Sequence, residues 1–327
     1  MEDTLISQSP DASMPARNIR RLLVSGPLAG EVIMLLGSSH PSLETREIPQ
    51  GPLSDEDLQW ADAYTGFQLP DGIDRSRIVW VHAMSAGVDT MVPTLRETPR
   101  TVLLTRTVGD MGRKIGLYVL THVLADTHRL ADYRWQQANH EWRRLDATCM
   151  DGAIATVLGT GAIGARVAEA LQNAGFVTCG VNRTGREHPS FSHTAAAADP
   201  EAVPRKTTVL VNTLPLTPET KGSIGMTLFG RLQGTLFINV GRGASVVMDE
   251  LRHALELGHL RRAVLDVLPV EPPSADAWYW EHPQVVLTPH VSAVTDAEEV
   301  VHALTSALND LRAGLEPRDA VDLKRGY

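Results

Sequence analysis

The sequence predicts an α/β protein built from two doubly wound domains with parallel sheets, and three observations carry that prediction. Short runs rich in Val, Ile and Leu alternate along the chain with amphipathic helical stretches, as strands covered on both faces by helices do. A glycine-rich turn joins one such strand to one such helix in "VLGTGAIGARVAEAL", residues 157–171. The length of 327 residues exceeds the usual domain of about 100–200 residues and favours two.

Taken in order, residues 1 to about 18 are polar, acidic and proline-bearing, and are expected to form a mobile tail without the apolar core of a signal peptide. The runs "RLLVSG", "AYTGF", "IVWVHAM" and "TVLLTR" then read as strands of a small α/β domain that ends near Thr107. A long helical stretch follows at 113–142. Its apolar positions Ile115, Val119 and Val123 form one face, and Leu117, Leu120 and Leu124 form an adjacent one. That surface is wider than a one-sided surface helix needs, so the helix is expected either between domains or at a subunit contact. From Asp151 the strands "AIATVLG", "FVTCGVN", "TTVLVNT", "GTLFINV", "RAVLDV" and "VVLTPH" alternate with helices such as "AIGARVAEALQNA" and "MDELRHALELG". The closing stretch at 296–317 is an amphipathic helix with Val300, Leu304, Leu308 and Leu311 on one side.

Composition excludes several classes. With 30 Lys+Arg against 39 Asp+Glu the net charge is −9, which argues against nucleic-acid or anionic-membrane partners. No run of about 18 apolar residues offers a membrane span. The two cysteines, Cys149 and Cys179, are too few for a secreted disulfide framework and fit a reducing, cytoplasmic compartment. No metal is expected.

Gly159, Gly161 and Gly164 stand in the G-x-G-x-x-G spacing. Alone the pattern is weak, because any strand–helix turn can use glycine. Here a β-type run precedes it and a helix with Ile163, Val167 and Leu171 follows. The segment Gly159, Thr160, Gly161, Ala162, Ile163, Gly164 is therefore expected to cradle the pyrophosphate of a dinucleotide on the helix N-terminus. An acid about 20 residues on commonly binds the ribose 2′-hydroxyl of NAD. That place, 18 residues past Gly164, holds Asn182 in "GVNRTGR". Asn182 and Thr184 can hydrogen-bond a 2′-phosphate, and Arg183 and Arg186 can pair with it, so NADP(H) is the expected cofactor with NAD(H) as the lesser one.

Three further loops follow strands of the same sheet and open at the carboxyl edge, where such sheets bind ligands. They present Arg242 in "INVGRGASV", Glu271 in "LDVLPVEPP" and His290 in "LTPHVSA". Reduction of a 2-oxo acid needs a cation for the carboxylate, a proton donor for the developing alkoxide and a hydride source. Arginine, histidine and a carboxylate that orients the histidine supply the first two. Singly each residue would read as a surface or core residue; their shared placement on strand ends argues for chemistry.

With these residues in view, the chain resembles the D-isomer-specific 2-hydroxyacid dehydrogenase family, and most its glyoxylate/hydroxypyruvate reductase branch. The resemblance rests on the glycine loop, "LPLTPETKG" at 214–222, "INVGRGASVVMDEL" at 238–251, "LDVLPVEPP" at 265–273 and "HPQVVLTPHVSA" at 282–293. It implies Arg242, Glu271 and His290 as the catalytic set, and cofactor contacts at Thr213, Leu214, Pro215, Val240 and Asp266. It also implies a substrate loop in "MSAGVD", where the backbone N–H groups of Ser85, Ala86 and Gly87 hold the carboxylate beside Arg242 and His290. The implied fold is a Rossmann-like nucleotide-binding domain over 108–294, carrying a dimerisation helix, inserted into a flavodoxin-like substrate domain made of 1–107 and 295–327. The implied activity is NADPH-dependent reduction of a small 2-oxo acid to the D-2-hydroxy acid by a homodimer. Two departures stand out: Ser85 where glycine is common, and Leu117 where an acid commonly precedes the aromatic, here Tyr118. The alternative from another class is a nucleotide-sensing corepressor on the same fold, which an intact catalytic set disfavours.

Overall fold

The computed structural model describes residues 18–147 and 149–326, so all of the expected tail except Asn18 lies outside the described residues. The chain divides into two compact units. The first is laid down by β1 (Arg21–Ser25), α1 (Ala29–Ser39), β2 (Glu44–Ile48), α2 (Asp55–Trp60), β3 (Ala63–Gly66), β4 (Trp80–Ala83), α3 (Val92–Glu97) and β5 (Leu103–Arg106). Its sheet is parallel throughout in the order β2-β1-β3-β4-β5, the flavodoxin-like order. Alternation sorts the side chains: Leu22 and Val24 of β1 join Val32 and Leu36 of α1 in one cluster, while Leu23 joins Tyr64, Val81 and Leu104 on the other face. β2, with the sequence "ETREI", is an edge strand that patterning did not predict, because only Ile48 of its five residues is buried.

The second unit follows with α4 (Met111–Thr127), α5 (Leu130–Ala138), β6 (Ile154–Leu158), α6 (Ala162–Asn173), β7 (Val177–Asn182), β8 (His193–Ala196), β9 (Thr207–Asn212), α7 (Met226–Phe229), β10 (Thr235–Asn239), α8 (Met248–Glu256), β11 (Leu260–Leu265) and β12 (Val285–Leu287). Its parallel sheet runs β12-β11-β10-β9-β6-β7-β8, the Rossmann order with one strand added. The chain then returns to the first unit as α9 (Ala297–Ala313), whose Val300, Leu304, Leu308 and Leu311 pack beside α1. A capping box between Asp296 and Glu299 starts α9 and a left-handed Gly314 ends it.

The single helix expected over 113–142 is two. α4 stops at Thr127, and Arg129 takes a left-handed φ of 57° before α5 begins. Ile115, Val119 and Val123 are buried against Val167, Ala168 and Leu171 of α6, whereas Leu117 is 51% exposed. One apolar face of α4 thus covers its own unit; on the other, Leu117 is exposed and Leu120 and Leu124 are half-buried.

A buried histidine in the first unit has a measurable signature. His82 on β4 is wholly enclosed, with Nδ1 2.8 Å from Thr105 Oγ1 and Nε2 3.0 Å from Thr107 Oγ1. Burial pulls it down to about 3, so the ring is neutral in the folded state. Unfolding frees it to protonate near its ordinary value of about 6.5. Its contribution is therefore full above that pH and is lost as the pH falls from there toward 3, at about 1.4 kcal/mol per unit. Urea unfolding at pH 7 and pH 5 checks this: the wild-type chain should lose about 2 kcal/mol more between the two than His82→Gln does.

Candidate active site

The carboxyl edge of the second sheet gathers the functional loops. After β6, Gly159 turns with φ 99°, and α6 starts at Ala162 with Gly161 as its N-cap and no side chain capping its N–H groups. A Cβ on Gly164 would stand 2.0 Å from the Gly159 carbonyl oxygen, so only hydrogen lets helix and loop pack this closely. A Cβ on Gly161 would meet no protein atom within 4 Å, which leaves an open cradle over the free helix N-terminus. Thr213, after β9, donates its hydroxyl to the Leu158 carbonyl at 2.9 Å and so ties the neighbouring loop to this turn. The residues present fit a dinucleotide pyrophosphate.

The turn after β7 is braced by Asn182. Its Nδ2 donates to the Arg186 carbonyl at 2.8 Å and to Thr160 Oγ1 at 3.2 Å, while Oδ1 accepts from the Thr184 N–H at 3.1 Å. A carboxylate at this place could not donate to the Arg186 carbonyl. The braced turn leaves Arg183, Thr184 and Arg186 exposed. Glu219, on the loop after β9, sits below the usual carboxylate range, chiefly through its bond with Thr217 and further through the Arg183 guanidinium.

On the other side of the sheet centre, two buried asparagines shape the loop ends. Asn212 Nδ2 donates to Asn239 Oδ1 at 2.8 Å and to Ser245 Oγ at 2.9 Å, and its Oδ1 accepts the Leu214 N–H. Ser245 Oγ and Asn239 Nδ2 both donate to the Arg242 carbonyl, at 2.6 and 3.3 Å, and fix the backbone from which that guanidinium projects. The Thr220 hydroxyl donates to the Pro215 carbonyl at 2.6 Å in the same loop, and Val240, after β10, is buried.

Glu271 and His290 are brought together. Glu271 accepts the Leu268 N–H on Oε1 at 2.8 Å and the His290 Nδ1–H on Oε2 at 2.9 Å. With Nδ1 donating to a carboxylate, Nε2 is the nitrogen left to exchange a proton with a reactant. The ring is half exposed, at 50%, and its backbone is left-handed with φ 54°. Asp266, buried at the end of β11, accepts from Thr288 Oγ1 at 2.6 Å, from the Val291 N–H at 2.9 Å and from the Ser292 N–H at 2.9 Å.

In the first unit, the loop after β4 is tied down through two of its carbonyls. Ser85 Oγ donates to the Gly87 carbonyl at 2.9 Å, and Arg106 Nη1 donates to the Ala86 carbonyl at 3.1 Å. Among the described residues, the N–H groups of Ser85, Ala86 and Gly87 have no acceptor, the arrangement a carboxylate-binding nest requires. Sequence reasoning missed Arg106, Asn212, Asn239, Tyr118 and Thr288 as supports. A polar residue as the last of a buried strand was the available signal for the first three. Among the described residues no acidic, histidine or cysteine cluster could hold a metal, and no helix is long and apolar enough to cross a membrane.

Known proteins resemble this chain in sequence and in fold. The profile of the D-isomer specific 2-hydroxyacid dehydrogenase NAD binding domain matches residues 120–292. A glyoxylate/hydroxypyruvate reductase A of Serratia proteamaculans is 34% identical over 260 residues, covering 78% of this chain and 83% of that protein. A D-isomer specific 2-hydroxyacid dehydrogenase of Xanthobacter autotrophicus Py2, solved with NADPH and MES, superposes with a TM-score of 0.85 at 26% identity over 95% of this chain and all of that one. An NADPH-dependent glyoxylate/hydroxypyruvate reductase of Sinorhizobium meliloti, solved with NADP and sulfate, gives 0.83 at 27% identity over 94% and 100%.

The two glycines separate folding from ligand binding. Gly161→Ala should melt with the wild type yet weaken NADPH binding by roughly tenfold or more, since its methyl enters only the cradle. Gly164→Ala should lose both stability and binding, as the methyl strikes the Gly159 carbonyl. Thermal melts and a fluorescence titration with NADPH check both.

Proposed function

Because the chain belongs to the D-isomer-specific 2-hydroxyacid dehydrogenase family, we propose that it reduces a small 2-oxo acid of the glyoxylate or hydroxypyruvate kind to the D-2-hydroxy acid, with NADPH preferred. The observation that carries the reading is the Glu271–His290 pair standing on the same sheet edge as the glycine cradle. The segment Gly159–Gly164 would hold the pyrophosphate, Arg183, Thr184 and Arg186 the 2′-phosphate on the turn that Asn182 braces, Thr213, Leu214 and Pro215 the middle of the cofactor, and Val240 and Asp266 its nicotinamide end. Bound there, a reduced nicotinamide supplies the hydride to the carbonyl carbon.

The protein's own groups do the rest. Arg242 pairs with the substrate carboxylate through its planar fork and polarises the neighbouring carbonyl. The Ser85, Ala86 and Gly87 amides of the first unit are three further donors suited to a carboxylate. His290 gives the Nε2 proton to the carbonyl oxygen as it becomes a hydroxyl, and the Nδ1–H bond to Glu271 keeps the ring in the tautomer and orientation that this transfer needs. The Serratia and Sinorhizobium relatives, named for glyoxylate and hydroxypyruvate reduction, support the substrate class. The NADPH and NADP complexes of the structural relatives support the cofactor.

Initial rates with glyoxylate, hydroxypyruvate and phenylpyruvate, each with NADPH and with NADH, test the reading. NADPH should win by at least about tenfold, and Arg183→Ala should bring the two cofactors to near parity by removing a charge-assisted contact worth about 1.5–3 kcal/mol. His290→Ala should abolish turnover while nucleotide still binds. Turnover with NADH alone would sink the phosphate assignment, and full activity in His290→Ala would sink the mechanism.

The same reading makes the protein a homodimer. Leu117, Leu130, Trp135 and Trp142, on α4, α5 and the segment after them, are exposed large hydrophobic groups concentrated in one stretch of chain. Sedimentation should show a dimer for the wild type and a monomer for the Leu117→Glu, Trp135→Glu double variant.

A further inference from the structure

His290 sits in a backbone region that side-chain-bearing residues rarely enter, with φ 54°. Such a conformation persists only where the surroundings over-determine it. Here the surroundings can be named. The His290 N–H donates to the Asp266 carbonyl at 2.9 Å, and the next two N–H groups donate to the Asp266 carboxylate. Helix α4 grips the same loop on both sides of His290. Lys114 Nζ donates to the Val294 carbonyl at 2.8 Å, and one turn further along the helix the Tyr118 hydroxyl lies 2.5 Å from Thr288 Oγ1.

The direction of that second contact follows from proton counting. Thr288 has one hydroxyl proton and gives it to Asp266 Oδ1 at 2.6 Å, so Tyr118 must be the donor to Thr288. Tyr118, Thr288 and Asp266 thus form a chain of hydrogen bonds that all point the same way, from α4 to the carboxylate under the catalytic loop. The ring of Tyr118 is held in place by His122, with centroids 4.5 Å apart. Burial raises the Tyr118 hydroxyl to about 12, so it stays a donor across the working pH range. The charged and titratable groups around the chain are Asp266 itself, His122 and Lys114 on α4, and Glu271 on the far side of His290.

We propose that Tyr118 is a positioning residue for His290: through Thr288 and Asp266 it holds the loop in the left-handed turn that aims Nδ1 at Glu271 and leaves Nε2 to the substrate. The inference rests on the assignment of His290 as proton donor. It adds a device that reaches the reacting atoms from a helix more than 160 residues away in sequence, without touching substrate.

Tyr118→Phe removes one oxygen and keeps the ring against His122, so the chain should fold. Two readouts decide the outcome. In steady-state kinetics, kcat should fall by about tenfold, as a displaced catalytic group implies, while KM for the 2-oxo acid and for NADPH changes by less than about twofold. In histidine-labelled protein, the downfield Nδ1–H resonance of His290, identified by its absence in His290→Ala, should broaden or vanish. Thr288→Val should act as Tyr118→Phe does, and Thr288→Ser, which keeps the hydroxyl, should restore both readouts. A Tyr118→Phe enzyme with wild-type kcat and an intact resonance overturns the proposal. So does a lower kcat with the resonance intact and the melting temperature reduced, which would mark a merely structural role. If the wild type reduces no 2-oxo acid at all, the assigned reaction fails, and the resonance still decides whether Tyr118 positions the ring.

Discussion

A carboxylate buried at the end of a strand must be hydrogen-bonded wherever it can accept, because an unpaired buried charge costs several kcal/mol. Asp266 meets that demand with the loop that follows β12, taking the Thr288 hydroxyl and two successive backbone N–H groups onto its oxygens. The loop cannot satisfy Asp266 and remain extended. It folds back over the strand end, His290 is driven into its left-handed turn, and the imidazole comes within 2.9 Å of Glu271. The geometry of the Glu271–His290 pair is in this sense a by-product of satisfying one buried carboxylate.

The same logic recurs one layer out. Both sheets are parallel, so every strand of the second unit leaves at the same edge, and several of the loops there are tied down by a buried polar strand end. Asn212 ends β9 and Asn239 ends β10, and each satisfies its side chain by pinning the loop beyond, while Asp266, just after β11, pins the loop that follows β12. Apolar residues at these places would bury equally well and leave the loops without a defined path. In the first unit Arg106, last in β5, does the equivalent for the Ala86 carbonyl.

Most of the architecture was legible because hydrophobic runs and the glycine spacing report buried strands and a close helix–strand approach directly. The strand ends carrying Arg242, Glu271 and His290 were legible for the same reason. β2 and β8 escaped because edge strands bury little, as "ETREI" and "HTAA" show. The break between α4 and α5 escaped because Arg129 adopts a left-handed turn with neither glycine nor proline to mark it. The Tyr118–Thr288 contact joins residues 170 positions apart, and no local pattern encodes such a pair. Asn182 was read as a ligand contact from its position alone; its role as a brace depends on where Thr160 and the Arg186 carbonyl fall in space.

That brace bears on how such a site changes over time. An asparagine that both donates and accepts is part of the folding of its turn, so its replacement by aspartate would do more than bring a negative charge to the ribose. It would strip the amide donor and leave the Arg186 carbonyl without its partner, while the Thr160 hydroxyl would have to turn and donate instead, loosening the turn. The proposed discrimination between cofactors would then be stored in the shape of a loop as much as in its charges. A lineage moving from one nucleotide to the other would have to loosen that turn or change several positions together, so a preference of the proposed kind would resist drift by single substitutions.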